Sequence, residues 1–187
     1  TWLEKGGFYA LYALLSAGLL GMTITGDMFN LYVFLEIASI SGYGLIALGG
    51  DKSVMASFRY LLLGTIAASF YLLAVAYMYS ITGTLNMADM AMLLASHKNS
   101  PNVFIAVSML IIAFGIKMAL FPLHGWQPDA YTYAHPAAAP LIAGLMSKAP
   151  ALAMLRYMFY IIGVDSPYVA KALTVIGFLG ACGIILG

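Results

Sequence analysis

The stretch from Asn102 to Pro122 reads NVFIAVSMLIIAFGIKMALFP and is apolar over almost its whole length. Lys117 is its one charged residue. About 20 consecutive apolar residues are enough to cross the hydrocarbon core of a bilayer as a single α-helix. This stretch therefore predicts a transmembrane helix that carries one charge.

Similar apolar runs recur along the chain, and turn residues separate most of them. Together with 102–122 they predict an all-α membrane protein of about six transmembrane helices. Because the connectors are short, consecutive helices are expected to be antiparallel. The longest connector, 84–101, ends in polar residues and is expected in water. The other five predicted spans are residues 8–25, 30–48, 54–82, 137–163 and 169–187.

The composition of the chain excludes an ordinary soluble domain. Hydrophobic residues make up 63% of it and charged residues only 8%, whereas globular proteins have roughly 45–50% and about 25%. The 8 basic and 7 acidic residues nearly cancel, which argues against a nucleic-acid partner. Cys182 is the single cysteine and lies in an apolar run, so it is expected to be an inert packing residue.

Both ends of the sequence suggest a longer protein. The chain begins at Thr1 without a methionine or the basic start of a signal peptide. Its last apolar run, from Ala172 to Gly187, has no polar tail. We therefore expect the chain to be part of a larger membrane protein.

Three charged residues fall inside the predicted spans rather than near their ends: Glu36, Lys117 and Lys148. An unpaired charge at the centre of a bilayer costs about 2.5–3.5 kcal/mol on insertion scales. A purely structural helix gains nothing from such a residue. These three are therefore the candidate functional residues.

Glu36 belongs to a polar stripe on its helix. Tyr32, Glu36, Ser39 and Tyr43 are spaced by four, three and four residues, which places them on one helical face. Such a face should be turned toward protein or water. The alternative is a Glu36 that is permanently protonated and only hydrogen-bonds a neighbouring helix.

Each candidate lysine is followed by a proline that interrupts its helix. Pro122 follows Lys117 and Pro150 follows Lys148, and proline cannot donate the helical hydrogen bond. Broken helices at membrane depth commonly form ion sites in transporters. Two alternatives are a Lys117 that extends to the interface and a static ion pair between a lysine and Glu36.

A proton relay needs groups whose protonation can change. Burial disfavours the charged form of a lysine and a nearby carboxylate favours it. Movement of a partner by a few ångströms can therefore switch a buried lysine between its two forms. The sequence supplies such groups in Glu36, Lys117 and Lys148.

The connector after Pro122 contains further polar groups. His124, Asp129 and His135 could be imagined as metal ligands, but their spacing matches no known site. Trp126 is expected to be an interface anchor, and the two histidines to be polar contacts or relay groups at a water-filled channel mouth. The sequence has no phosphate loop, nucleophile triad or cofactor motif, so we expect no cofactor and no catalytic chemistry in this chain itself.

Three motifs carry a family resemblance: 26–36 (GDMFNLYVFLE), 83–89 (GTLNMAD) and 115–148, which includes FPLHGWQPDA and ends in LMSK. Together they resemble the antiporter-like, proton-translocating subunits of Mrp-type Na⁺/H⁺ antiporters, membrane-bound hydrogenases and the membrane arm of NADH–quinone oxidoreductase. The resemblance covers essentially the whole chain. The first two motifs are most similar to the Mrp D-type subunit and its hydrogenase relatives.

The resemblance implies an organisation in inverted five-helix repeats, each with a broken helix. Residues 1–163 would form the first repeat, and 169–187 would open the second. Glu36 would match the membrane glutamate of the family, Lys117 its lysine partner, and Lys148 the next relay lysine. His124 also lies within the third motif.

We therefore hypothesise that the chain is half of an antiporter-like subunit. The subunit would belong to a multi-subunit complex in the cytoplasmic membrane of a prokaryote. The complex would be a redox-driven ion pump or a cation antiporter. The partners implied are other membrane subunits, lipid, protons and, as an open alternative, Na⁺. The rival hypotheses are a structural scaffold with static charges, a stand-alone secondary transporter and, less favoured, a quinone-binding redox subunit.

Overall fold

A computed structural model describes residues 2–97 and 99–186, with side chains from residue 5 onward. Thr1 and Gly187, at the two ends on which the expectation of a longer protein rests, lie outside this part. The described residues form helices and no strand. The helices are α1 (Trp2–Ile24), α2 (Met28–Ala47), α3 (Asp51–Thr82), α4 (Met87–Leu94), α5 (Pro101–Lys117), α6 (Gln127–Tyr133), α7 (Ala139–Leu145), α8 (Lys148–Leu155), a π-helix (Arg156–Ile162) and α9 (Pro167–Leu186).

Four helices in the described residues are long and apolar enough to cross a membrane: α1 from Lys5 onward, α2, α3 and α9. The predicted span 102–122 contains α5, a shorter apolar helix that ends at Lys117. The predicted span 137–163 is divided among α7, α8 and the π-helix. The prediction of an all-α membrane bundle with a broken helix near Pro122 is confirmed.

The long helix α3 is the central element of the bundle. It packs against α2 on one side and α5 on another, while α1 packs against α2 and α9 against α5. With 32 residues, α3 extends about 48 Å at 1.5 Å per residue. It is therefore longer than the ~30 Å hydrocarbon core.

Two of the family motifs meet at one end of the bundle. The Met28 amide donates to the Leu85 carbonyl at 2.8 Å, and the Met87 amide donates to the Gly26 carbonyl at 2.8 Å. The side chains just before α2 and α4 cap these helices, because Asp27 accepts from the Asn30 amide and Asn86 from the amides at the start of α4. The paired turns fix where α2 begins, and therefore where Glu36 lies along it.

The connector 84–101 is more than a solvated loop. It contains α4, whose Met87, Met90 and Leu94 are at most 1% exposed. This helix packs against the π-helix and against α3. The expectation that the whole connector lies in water is therefore wrong for its helical part, because three apolar side chains are buried against the bundle.

Candidate functional site

Lys117 is the last residue of α5, and the backbone just after it explains why the helix ends there. Ala119 adopts a left-handed conformation with φ 57°. The Leu120 amide then donates to the Gly115 carbonyl at 2.8 Å and the Ala119 amide to the Ile116 carbonyl at 3.2 Å. This is the hydrogen-bond pattern of a Schellman motif. It places Lys117 at a helix C-terminus, where the helix dipole favours a cation.

The ammonium group of Lys117 is buried among neutral partners. Its Nζ donates to Ser39 Oγ at 2.6 Å and to the Tyr43 hydroxyl at 3.5 Å. It also lies 5.9 Å from the centroid of the Tyr43 ring and 5.6 Å from that of Tyr60. The residue is 2% exposed. Lys117 therefore turns into the bundle and does not extend to a membrane interface.

Glu36 lies one helical turn before Ser39 on α2 and does not touch Lys117. Its side chain is half-buried, and its buried Oε1 has no hydrogen-bond partner among the residues that the structure describes. Across the described residues, no ion pair within 4.0 Å joins Glu36 to Lys117. Ser39 thus contacts the lysine from a position next to the glutamate. The structure brings the two candidates close together without pairing them.

The polar stripe of α2 faces the bundle along most of its length. Ser39 and Tyr43 are buried, and Tyr32 stacks on Tyr71 of α3 with ring centroids 6.2 Å apart. Position and burial agree with the orientation that the spacing predicts. Within the described part of the chain, however, the only stripe residues that contact Lys117 are Ser39 and Tyr43.

A small cavity lies beside Lys117. Its volume is about 10 Å³, roughly what one water molecule needs. A protonated lysine has three N–H donors, and two hydrogen bonds to described side chains are present. A single water is therefore the largest guest that fits next to the ammonium group. The cavity is lined by Leu19, Met22, Leu35, Ala38, Ser39, Tyr60, Lys117, Met146 and Pro150.

Trp126 is not an interface anchor, and the expectation that it would be is wrong. Its side chain is fully buried, and its ring stacks on Tyr60 with centroids 3.9 Å apart. Its Nε1 donates to the Ile116 carbonyl at 2.8 Å. The indole therefore holds the end of α5 and, through Tyr60, supports the aromatic face next to Lys117.

Lys148 lies on the outside of the described bundle, in contrast to the burial expected from the middle of a span. It is the first residue of α8, is exposed, and donates from Nζ to the Ala143 carbonyl at 2.6 Å. It lines an apolar groove of about 370 Å³ between α1 and the pair α7–α8. Pro150 lies in the first turn of α8, just after the interruption between Leu145 and Lys148.

The two lysine environments share one wall. Leu19 lines both the cavity beside Lys117 and the groove that contains Lys148. It is only 5% exposed. An apolar side chain of α1 thus borders both of the proposed relay sites.

The two histidines line different cavities. His124 stacks on Phe121 with ring centroids 5.5 Å apart, and its buried Nδ1 has no hydrogen-bond partner in the described part of the chain. His135 lies against Phe8, 5.3 Å between ring centroids. His124 faces a cavity of about 320 Å³ beside α9, while His135 faces one of about 610 Å³ beside the start of α1. The structure therefore does not bring them together at one channel mouth.

Asp129 forms an ion pair with an arginine on another helix. Its carboxylate accepts from Arg59 of α3 at 2.7 Å. Among the described residues, no group of three His, Cys, Asp or Glu side chains is arranged to hold a metal ion. The pair instead fastens α6 to α3.

The sequence reasoning missed a second buried polar cluster. The Tyr71 hydroxyl donates to the Met28 carbonyl at 2.8 Å and lies 2.5 Å from the Tyr157 hydroxyl. Arg156 donates to the carbonyl groups of Met22 and Thr25 at the end of α1. Arg156 falls inside the predicted span 137–163, and this position of a charge was a signal that could have found it.

Comparison with known proteins adds the decisive observation. Residues 25–187 match the model of the family described as NADH:quinone oxidoreductase/Mrp antiporter, transmembrane. The chain belongs to this family. It is an antiporter-like integral membrane chain, as the motifs around Glu36 and Lys117 predict.

Members of this family from several complexes are similar to the chain. It is 51% identical over 184 residues to the N-type subunit of the NADH-quinone oxidoreductase of Desulforudis audaxviator, covering 98% of the chain and 36% of the relative. It is 35% identical over 187 residues to the D-type subunit of the Na(+)/H(+) antiporter of Alkalihalophilus pseudofirmus, covering 97% and 38%. The chain thus spans little more than a third of the length of these curated relatives.

A solved family structure has the same fold. A chain of the membrane-bound sulfane sulfur reductase, an archaeal respiratory membrane complex, superposes with a TM-score of 0.82 at 38% identity. The match covers 88% of this chain and 34% of that one. Sequence and fold therefore agree on the family.

Proposed function

We propose that this chain forms part of the proton path of a multi-subunit membrane complex, with Glu36, Lys117 and Lys148 as proton-transfer groups. One observation carries the proposal. The ammonium group of Lys117 is buried against Ser39 and forms no ion pair with a carboxylate of the described residues, while Glu36 lies one turn away with an oxygen that has no hydrogen-bond partner among them. A lysine that can place its charge either at Ser39 or at Glu36 is suited to switch between two protonation states.

The ammonium group has one observed position, at Ser39 and Tyr43, and one proposed position, at Glu36. The two positions stabilise its charge to different degrees. At Ser39 and Tyr43 the ammonium group meets neutral oxygens and aromatic faces. At Glu36 it would meet a carboxylate, which favours the protonated form more strongly. Residues three apart on a helix have Cβ atoms about 5–6 Å apart, a distance within reach of the four-carbon stem of lysine. Movement between the positions would therefore change how tightly Lys117 holds its proton.

Lys148 would receive the proton on the other side of Leu19. This apolar side chain borders both environments, and we expect it to hinder direct transfer. A step between the two lysines would need Leu19 to move or a water molecule to enter. We propose that Leu19 keeps the two sites separate until Lys117 changes position.

The proposed setting is a complex in the cytoplasmic membrane with other membrane subunits as partners. The two relatives are named as subunits, one of a quinone oxidoreductase and one of a Na(+)/H(+) antiporter. The antiporter name includes H(+), and we propose that both kinds of complex move protons. In an antiporter, proton movement would be coupled to exchange of Na⁺. The coupling to redox chemistry or to Na⁺ would come from the rest of the complex.

The test is proton movement in sealed vesicles that contain the complete parent complex. Glu36→Gln keeps the shape of the side chain but removes its negative charge. We expect loss of proton movement with normal assembly, since Lys117 then has one position for its charge instead of two. Asp51→Asn, at the exposed start of α3, is the matched control and should retain wild-type movement. Wild-type movement in Glu36→Gln would support the scaffold hypothesis instead.

A further inference from the structure

Three helices converge on a residue without a side chain. Gly64 lies near the middle of α3 and is buried. A Cβ atom at this position would overlap the Tyr43 hydroxyl of α2 and would lie 3.3 Å from Nζ of Lys117, from α5. The overlap with the hydroxyl is impossible for non-bonded atoms. The absence of a side chain at Gly64 is therefore what leaves room for the phenol next to the ammonium group.

Tyr43 is held in this position mainly by α3. Its carbonyl accepts from Ser57 Oγ at 2.7 Å, and its ring meets the Tyr60 ring edge-on at 4.8 Å. Ser57 and Tyr60 of one helix thus contact the backbone and the ring of Tyr43, and Gly64 of the same helix leaves space for its hydroxyl. The hydroxyl oxygen lies 3.5 Å from Lys117 Nζ.

The order of residues along α2 gives this contact a direction. Glu36, Ser39 and Tyr43 occupy successive turns, and the Lys117 ammonium group lies at the last two. An acceptor at Tyr43 therefore draws the charge away from Glu36. Without it, Ser39 would be the remaining hydrogen-bond acceptor of the ammonium group among the described residues, at the turn next to the carboxylate.

We propose that Tyr43 is a positioning residue that holds Lys117 away from Glu36, and that Gly64 is required because a side chain there would displace the Tyr43 hydroxyl. This inference rests on the proposed Glu36–Lys117 switch and adds its second endpoint. Tyr43 accepts no proton in this scheme. It sets how often Lys117 occupies the position remote from the glutamate.

The experiment compares Tyr43→Phe, Gly64→Ala and the double variant in the complete complex in sealed vesicles. The readout is the number of protons moved per assembled complex, divided by the number of driving events, which are redox turnovers or cations exchanged. Tyr43→Phe is expected to lower this ratio by about two- to tenfold, the factor that corresponds to one modest hydrogen bond. Gly64→Ala is expected to lower it at least as much.

The double variant is the decisive case. Removal of the hydroxyl takes away the atom with which the new methyl group collides most severely and leaves the ring carbon Cζ at 3.0 Å, so the double variant should recover toward the level of Tyr43→Phe alone. A double variant that combines both losses would show that Gly64→Ala acts by a route other than the Tyr43 hydroxyl. Gly49→Ala, where a Cβ would overlap the Tyr133 carbonyl oxygen, controls for a steric clash away from Lys117, and Tyr43→Phe should not rescue it.

Two results would overturn the inference: wild-type ratios in both single variants, or a double variant no better than Gly64→Ala. These are distinct from failure of the proposed function. Unchanged proton movement in Glu36→Gln would remove the switch itself. Loss of movement in Glu36→Gln with wild-type behaviour of Tyr43→Phe would leave the switch and remove only this endpoint.

Discussion

At the scale of single residues, the environment of Lys117 is neutral but not apolar. A charge at mid-bilayer costs about 2.5–3.5 kcal/mol. A hydrogen bond to a charged group returns about 1.5–3 kcal/mol, and a cation–π contact about 0.5–2 kcal/mol. Ser39, Tyr43 and Tyr60 together therefore offset much of the cost. None of the three fixes the charge as an ion pair would, which suits a group that has to release its proton.

The Ser39 hydroxyl is the closest partner of Lys117, and its removal should impair proton movement. Ser39→Ala leaves the ammonium group without its 2.6 Å acceptor, which we expect to slow proton movement about tenfold, equivalent to ~1.4 kcal/mol. Ser41→Ala is the matched control. Ser41 is also buried on α2, and its hydroxyl, like that of Ser39, donates to the carbonyl four residues back. Among the described residues it does not contact Lys117, so its loss should leave the rate unchanged. Equal effects of the two variants would argue against a role of Ser39 in holding the charge.

The sequence predicted some of these residues and could not predict others. Glu36 and Lys117 stand out because charges inside apolar runs need an explanation, and Ser39 and Tyr43 follow from helical spacing. Gly64 lies next to Lys117 only in the folded bundle, although more than fifty residues of chain separate them. Trp126 was misplaced because the sequence pattern of a tryptophan in a connector is the same whether it faces lipid or is buried.

At the scale of helices, the end of α5 decides where the charge of Lys117 lies. Pro122 predicted a break in this region, but the helix stops earlier, because Ala119 takes a left-handed conformation. The hydrogen bond from Trp126 to Ile116 then fastens the end of the helix to the following segment. Neither feature has a sequence signature, since alanine does not favour this conformation and the tryptophan contact is tertiary.

Substitution at Ala119 tests the helix ending. Left-handed backbone costs a residue with a Cβ about 1–2 kcal/mol, and glycine is largely free of this cost. Ala119→Gly should therefore raise the thermal stability of the purified complex, and Ala119→Val should lower it, because a β-branched side chain is disfavoured there. The measurement is the midpoint of thermal unfolding. A lower midpoint for Ala119→Gly would contradict the assigned conformation.

At the scale of the whole molecule, the proposed relay crosses a barrier between two environments. Lys117 lies in the interior, Lys148 lines an outer groove, and Leu19 borders both. The sequence predicted both lysines as buried relay sites, yet only one is buried in the described bundle. The division into a first repeat, 1–163, and the start of a second, 169–187, remains a prediction.

The barrier role of Leu19 predicts a leak when it is shortened. Leu19→Ala would join the cavity and the groove and admit water between the lysines. We expect passive proton leak through vesicles containing the complex to rise severalfold when the driving reaction is absent. Leu14→Ala, on the same helix but 50% exposed, should leave the leak at the wild-type level. A leak that does not change in Leu19→Ala would show that other residues separate the two lysines.

The most direct measurement is proton movement by the complete complex with Lys117→Ala, in sealed vesicles and with assembly checked in parallel. Lys171→Ala, an exposed lysine of α9, is the matched control. We predict that Lys117→Ala assembles normally and moves no protons, while Lys171→Ala behaves as wild type. Wild-type proton movement in an assembled Lys117→Ala complex would contradict the switch, and the buried charge would then have only a structural role.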